Sequence, residues 1–413
     1  MDRTRIAERE LSADEAQKRI LAELRFLGLE PSIRTLGRKV VSVLASLGSN
    51  THEPICGAGK GYPDQARIGA LYEALEHYWT EDLSAKDIHF ATAQYFTETK
   101  LFNDDSVLQL VCDQKDTRIA CRTYKCPLQD THFHYPIALT LPGYPERAFE
   151  QDNANYCALR RYSSNSGTAI GASYNEALLH ATNECIERDA VSLFLLNHFY
   201  YENHPPQRRV ARLRQSDILG RLWTDAEREI GAEIVLLEIS NEFQARTFLA
   251  FPATPDTHIS LYGTGCSLDP RHGAWRALTE LVQLHHAVSQ SQSQSQYRQH
   301  LINAQRHLQR FPRLLRCSQF HTPSLLSPQH SVVLPDAWDE RPLTEQIDQL
   351  LQDLQRHGRT LGVTTLHQTA LGTTLVNVVI PGLERFFIVS SGNVVIPQSR
   401  GRRLEKNRQA TCA

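Results

Sequence analysis

Two periodicities divide the chain. Ser12-Ala-Asp-Glu15 has the form of a capping box, and Ile20, Leu21 and Leu24 carry the helix it opens to Gly28. "SIRTLGRKVVSVLASL", residues 32–47, alternates as two strands around a glycine turn. A helix is predicted from about Asp64 to Trp79, and a longer one from Ser173 to about Asn197, opened by a second capping box, Ser173-Tyr-Asn-Glu176. Strands are predicted at Ala232–Ile239, Thr247–Phe251 and His258–Tyr262, then a helix near Gly273–Ser289. Leu343, Ile347, Leu350, Leu351 and Leu354 mark an amphipathic helix that Gly358 ends, and "TTLVNVVIP" and "RFFIVSS" read as two last strands. "SQSQSQSQ", from Ser289 to Gln296, reads as a flexible loop. Strands and helices mix without a regular βαβ alternation, so the expected class is α+β, or mixed α/β, rather than a doubly wound sheet. A single domain over 1–413 is expected: a helix-plus-hairpin lobe at 1–55, a core at 56–405 and a loose tail at 406–413.

Composition narrows the class of partner. Hydrophobic residues are 41% and charged residues 22% of the 413, which supports a packed core, and a net charge of −2 gives no reason to expect nucleic acid or a membrane surface as partner. The N-terminus is charged from its second residue and no apolar run reaches the length of a span, so a soluble, cytoplasmic protein is expected. The nine cysteines include no CxxC pair. Cys121, Cys126, His132 and His134 gather in "CRTYKCPLQDTHFH", but this C-x4-C spacing is loose for a zinc site, so reduced structural cysteines are expected instead.

The chemistry sits in three helical stretches. "CGAGKGYPDQARIGALYEALEHYW", from Cys56, suggests a phosphate-binding loop at first sight, but Pro54 stands where the first P-loop glycine belongs and Gly61 where the Ser or Thr belongs. A glycine-rich turn into a helix is the plainer account. On that helix Glu73 and Glu76 are three apart, on one face, among Leu71, Ala74, Leu75 and Tyr78. A lone pair of this kind is most often a solvated acidic stripe. The pattern recurs, however: Glu184 and Glu187 stand three apart beside Arg188, and Glu176, His180 and Glu184 form one ridge at i, i+4, i+8. Asn165, Ser166, Gly167 and Gly171 precede that helix and are suited to bring backbone N–H groups to phosphates. In "GAWRALTELVQLHH", Arg276, Glu280 and Gln283 share a face. Three carboxylate-bearing faces in apolar settings point to a shared acidic cavity holding divalent cations. Oxygen ligands alone favour Mg2+, whose shell is commonly completed by water and substrate phosphates, so ATP is the natural third component.

These stretches resemble the nucleotide-site motifs of YcaO-domain proteins. "GAGKGYPDQARIGALYEALEHYW", "SSNSGTAIGASYNEALLHATNECIERDA" and "GTGCSLDPRHGAWRALTELVQLH" occur in the family's order, and "VNVVIPGLERF" is similar to its C-terminal strand. The resemblance runs from about residue 8 to 405 and implies a YcaO fold, with sheets and helices around an ATP and Mg2+ cavity and neither a P-loop nor a Rossmann fold. It implies an ATP-dependent enzyme acting on backbone amides of a ribosomal precursor peptide, most directly an azoline-forming cyclodehydratase of the kind used in bacteriocin and microcin maturation. Thioamide or amidine formation is the alternative, and a non-catalytic ATP-binding subunit a further one. Implied partners are the precursor peptide and a ThiF-like or TfuA-like protein, with a homodimer as one compatible assembly.

Carried over, Glu73, Glu76, Glu184 and Glu187 would hold two Mg2+ ions. Glu176, Arg188 and Gln283 would contact the nucleotide, with Asn165 and Ser166 near its phosphates or sugar. Arg276 and Glu280 would complete the polar wall, and Arg9 would reach the phosphates. The chain departs from the family pattern at Gly69, where a serine is usual, at His77 in place of an arginine, and at His285, where an arginine is common. It ends "NRQATCA" without a PxPxP tail and shows no N-terminal peptide-recognition module, which implies a separate partner or a reaction other than ring formation.

Overall fold

The computed structural model describes residues 8–49, 52–80, 88–111, 117–254, 261–289, 299, 302–326 and 330–411. Helix α1, Ala13–Phe26, starts at the expected capping box: Ser12 Oγ accepts the Glu15 N–H at 3.3 Å and Glu15 accepts the Ser12 N–H at 3.0 Å. Strands β1 (Glu30–Leu36) and β2 (Val41–Ser49) pair antiparallel, with Gly37 in the turn at φ 88°. The glycine-rich stretch that reads as a turn is instead strand β3, His52–Gly61, paired antiparallel with β2. Its glycines serve the next helix, α2 (Pro63–Thr80). A Cβ on Gly57 would lie 2.1 Å from Ala74 N, and one on Gly59 would lie 1.8 Å from Ala66 O. Only bare backbone lets the helix lie this close to the strand.

The middle of the chain supplies β4 (Ile88–Thr92), α3 (Ala93–Glu98), β5 (Arg118–Cys126), β6 (Thr131–Pro136) and β7 (Thr168–Gly171). Helix α4, Tyr174–Leu195, follows at once, with Ser173 Oγ accepting the Glu176 N–H at 3.2 Å. Then come β8 (Arg208–Val210), α5 (Ile218–Ile230), β9 (Ile234–Glu238), β10 (Arg246–Pro252), β11 (Gly263–Ser267) and α6 (Pro270–Ser289). The remainder is α7 (Pro312–Gln319), β12 (His330–Val332), α8 (Leu343–Arg356), β13 (Gly362–Gln368), β14 (Thr374–Val379) and α9 (Ser399–Thr411). Helices and three mainly antiparallel sheets are intermingled, in the orders β1-β2-β3, β11-β10-β9-β8-β12 and β4-β5-β13-β14-β7, with β6 on β5. This is the expected mixed class.

Four local expectations change. "RFFIVSS" forms a 3-10 turn, Phe386–Ser391, in which the Phe387 N–H donates to Ser192 Oγ at 2.9 Å rather than to a strand, while the Arg385 side chain donates to the Leu139 carbonyl at 3.1 Å. Strand β13, mostly polar and bulged between Thr365 and His367, is new. Of the strand expected at 258–262, residues 258–260 lie outside the described residues, as does the Ser-Gln repeat from residue 290; the strand described there begins at Gly263. The last helix continues to Thr411, past residue 405 where a loose end was expected. Helix α4 lies at the centre, packed on β7, β11, β14 and α8. Ala177, Leu178, Ala181, Ile186 and Val191 are buried there, so the polar residues it carries are placed by the core. No helix among the described residues is long and apolar enough to cross a membrane.

Candidate functional site

Strands β3, β7 and β11 each end a sheet, and each is followed at once by a helix. An edge strand has backbone groups that no neighbouring strand takes up, and here polar side chains of α2, α4 and α6 take them. Glu73 accepts from the backbone of Ala58 on β3, whose carbonyl accepts Gln283 Nε2 from α6 at 2.9 Å. Glu76 accepts the Ile170 N–H of β7 at 2.9 Å. Glu184 accepts the Gly167 N–H at 3.3 Å, and Glu187 accepts the Thr264 hydroxyl of β11 at 2.6 Å. Meeting three sheet edges brings the helix faces together. The β3–α2 glycine device recurs at β11–α6, where a Cβ on Gly263 or Gly265 would lie 2.3 Å from the carbonyl of Ala277 or Gly273.

The charges do not balance. Burial, with Glu184 and Glu73 close by, holds Glu76 well above the ordinary carboxylate range. Burial likewise raises Glu73, against the pull of His77 and Lys60, and raises Glu184, where Glu187 adds to the effect and Arg188 opposes it. Arg188 lies 3.4 Å from Glu184 and 3.7 Å from Glu187, with its guanidinium over the Phe387 ring at 5.3 Å. Lys60 donates to Glu280 at 2.7 Å; burial pushes Glu280 up, but Lys60, Arg188 and Arg276 outweigh it and hold its carboxyl below the ordinary range. Glu187 Oε2 is buried without a hydrogen-bond partner. Glu73, Glu76, Glu184, Glu187 and Glu280 thus face Lys60, Arg188 and Arg276, five carboxylates to three cations.

That excess and the orphaned Glu187 oxygen fit divalent cations. Among the described residues no three His, Cys, Asp or Glu are grouped as a ready-made metal centre. Mg2+ does not require such a group, since it takes one or two carboxylates and completes its octahedron with water and phosphate oxygens. Because a bound cation lowers the pKa of carboxyls that burial has raised, binding of Mg·ATP within their titration range is expected to release protons. Calorimetry in buffers of different ionisation enthalpy reads this, and zero release would remove these carboxylates as ligands. The sign also holds for stability. With folded-state pKa values above the unfolded ones, the metal-free chain binds more protons when native and loses stability as pH rises through them.

The other expected residues are placed differently. Glu176 has both oxygens engaged: Oε1 accepts the N–H groups of Glu10 at 2.8 Å and Leu11 at 3.4 Å, and Oε2 accepts that of Ala172 at 3.2 Å. Arg9 lies 3.9 Å from Glu176 and donates to the Glu8 carbonyl at 2.9 Å. Ser166 sits in the turn before β7, 2.6 Å from the Ser164 hydroxyl, and the exposed Asn165 accepts the Thr168 N–H at 2.9 Å through its carbonyl. Arg276 Nη1 donates to His180 Nδ1 at 2.8 Å. His77, where an arginine is usual, donates through Nδ1 to the Cys56 carbonyl at 2.6 Å, tying α2 to β3. His285 lies in the last turns of α6, where burial lowers its pKa.

Sequence reasoning missed Glu8, Asn183, Ser267 and His272, which cluster behind Arg276; a buried Glu8 has no signal in a polar N-terminal stretch. Seven cysteines are free among the described residues, and Cys112 and Cys412 lie outside them. Cys121 and Cys126 are buried thiols pushed up by desolvation, while His134 bonds Thr123 and stacks on His89 at 3.7 Å.

A family model described as YcaO cyclodehydratase, ATP- and Mg2+-binding, matches residues 58–384. The chain is 25% identical over 287 residues to an uncharacterized protein in the tfuA 3' region of Rhizobium leguminosarum bv. trifolii, covering 62% of this chain and 64% of that one. It therefore spans less than two thirds of the length of that curated relative. Among solved structures, YcaO from Methanopyrus kandleri bound with AMPPCP and Mg2+ superposes with a TM-score of 0.65 at 17% identity, over 95% of this chain and 97% of that one. A heterocyclase in complex with substrate and cofactor gives 0.65 at 17% identity, over 93% and 54%. The E. coli microcin synthetase McbBCD complex with pro-MccB17 bound gives 0.59 at 13% identity, over 86% and 88%. At these identities the structural likeness establishes the fold.

Proposed function

The chain belongs to the YcaO family, and from that premise we propose that it uses ATP and Mg2+ to activate backbone amides of a ribosomally made precursor peptide. The reaction is azoline formation by cyclodehydration, assisted by a separate partner protein. The observation that carries this reading is the set of four glutamates on α2 and α4, Glu187 buried and the others half-buried, mutually repelling and short of positive charge.

In cyclodehydration a Cys, Ser or Thr side chain of the peptide adds to the preceding amide carbon, and the former carbonyl oxygen departs, leaving a thiazoline or oxazoline. Bound ATP supplies the phosphoryl group that makes that oxygen a leaving group, and Mg2+ neutralises the phosphate charge. The chain's own residues position and neutralise. Glu73, Glu76, Glu184 and Glu187 are the proposed Mg2+ ligands. Arg188, held by two of them and by the Phe387 ring, is preorganised as a fixed positive charge. Glu280 and Gln283 are already oriented by Lys60 and the Ala58 carbonyl, so they line the wall without reorganising. Asn165, Ser166 and Arg9 lie at the rim as nucleotide contacts, and Glu176 acts one step back, by fixing the segment that carries Arg9.

A second reading keeps this site and replaces the peptide nucleophile by sulfide or an amine, giving a thioamide or amidine. What favours it is the position of the curated relative beside tfuA, since a TfuA-like protein is one of the two expected partners. Mass spectrometry of a co-expressed precursor peptide separates the readings. The loss of one water per site is expected, while a gain equal to oxygen-to-sulfur exchange would transfer the assignment to thioamide formation. An unmodified peptide, with ATP bound but no phosphate released, would make the chain a non-catalytic subunit.

A further inference from the structure

We propose that residues 8–11 form a strap that completes the nucleotide site, in which the Glu8 carboxylate is a positioning residue for the Arg276 guanidinium; this rests on the reading of the site as one for Mg·ATP. Glu8 is 5% exposed and has φ 59°, a left-handed conformation that a residue with a side chain adopts at a cost of about 1 kcal/mol or more. The surroundings that hold it there are specific. Oε1 accepts the Ser267 hydroxyl and Asn183 Nδ2, the latter at 3.1 Å, and Oε2 lies 3.4 Å from His272 Nε2. One carboxylate from the N-terminal segment thereby joins β11, α4 and α6.

The carboxylate is charged. Burial works against its ionisation, but His272, Ser267 and Arg276 outweigh it and lower the pKa to about 2. Arg276 feels that charge while donating through Nη1 to His180 Nδ1 at 2.8 Å. A guanidinium only donates, so Nδ1 of His180 is the bare acceptor and the ring is neutral, in keeping with the desolvation that lowers its pKa well below the ordinary value. Arg276 Nε remains buried without a partner. A buried donor left without an acceptor costs about 1–3 kcal/mol and marks a place for one. A phosphate or sugar oxygen of the nucleotide provides it.

The strap is fastened from the other side as well. Glu176 of α4 accepts the N–H groups of Glu10 and Leu11, and Asn175 Nδ2 donates to Glu10 Oε1 at 2.8 Å. Two buried carboxylates point in opposite directions across one contact: Glu8 from strap to core, and Glu176 from core to strap. Nucleotide binding and the order of residues 8–11 are therefore coupled through Arg276 and Arg9.

The test is a double-mutant cycle in the full chain, read by calorimetric binding of Mg·ATP without peptide. Glu8→Gln and Arg276→Met are each expected to weaken binding about tenfold, and the double variant to be little worse than the weaker-binding single one. Hydrogen exchange at the amides of Glu10 and Leu11 should accelerate in Glu8→Gln before any nucleotide is added. Additive losses, or wild-type affinity in Glu8→Gln, would overturn the proposal. Should Glu8→Gln fail to fold, Ser267→Ala removes one donor only. Binding two- to threefold weaker, at roughly that size, supports the strap, and unchanged binding overturns it. A wild-type chain that does not bind Mg·ATP would instead take down the reading of the site itself.

Discussion

Glu76→Gln is expected to stabilise the nucleotide-free protein while lowering ATP-dependent turnover by about three orders of magnitude. Glu76 is half-buried between two like charges, Glu184 and Glu73, with one backbone donor, Ile170 N–H, in its favour. Glutamine keeps the shape and keeps an oxygen for that N–H while removing the charge. The metal-free fold loses a repulsion and a desolvation cost, so the melting temperature should rise, by about 1 kcal/mol of stability. As a proposed Mg2+ ligand, Glu76 would supply turnover with the charge that the fold would rather lose. Differential scanning calorimetry without ligand and phosphate release with peptide read the two effects separately. A lower melting temperature with unchanged turnover would mean that Glu76 is an ordinary buried hydrogen-bonding group.

Much of this was legible because periodicity is local. The box Ser12–Glu15, the turn at Gly37, the long α4 and the stop at Gly358 each depend on residues within one or two turns. "RFFIVSS" failed for the opposite reason. Its aromatic and β-branched composition favours a strand, but Ser192 on α4, distant in sequence, takes its Phe387 N–H, and the Leu139 carbonyl anchors the Arg385 side chain. The site divides in the same way. Helical spacing shows that Glu176, His180 and Glu184 share a ridge, yet the structure assigns them to three partners: the amides of residues 10 and 11, Arg276, and Gly167. Acidic pairs on two helices and Glu280 on a third pointed to a common cavity, because a solvated stripe gives no reason for three helices to carry carboxylates among apolar residues. Which strand edges the carboxylates would satisfy, and that Glu8 would be drawn in from a charged N-terminus, depended on contacts that no window of sequence contains.

Gly59→Ala is expected to destabilise the chain by about 3 kcal/mol and to abolish nucleotide binding, whereas Lys60→Met should leave binding within about tenfold of wild type. A phosphate-cradling loop would give a different order, with the lysine dominant and small side chains tolerated wherever the backbone N–H groups remain. Here the added methyl would lie 1.8 Å from Ala66 O and 2.5 Å from Ala70 N, both backbone atoms of α2 that no rotamer change can move aside. The helix must shift as a body, and Glu73 and Glu76 shift with it, away from Ala58 and Ile170. Lys60 instead makes one pair with Glu280, partly open to solvent, and Arg188 and Arg276 also bear on that carboxylate. Chemical denaturation and Mg·ATP calorimetry on both variants decide the matter. Tight binding in Gly59→Ala together with loss of binding in Lys60→Met would return the glycines and the lysine to the phosphates; the reverse leaves magnesium on helix α2 as the means by which this stretch serves ATP.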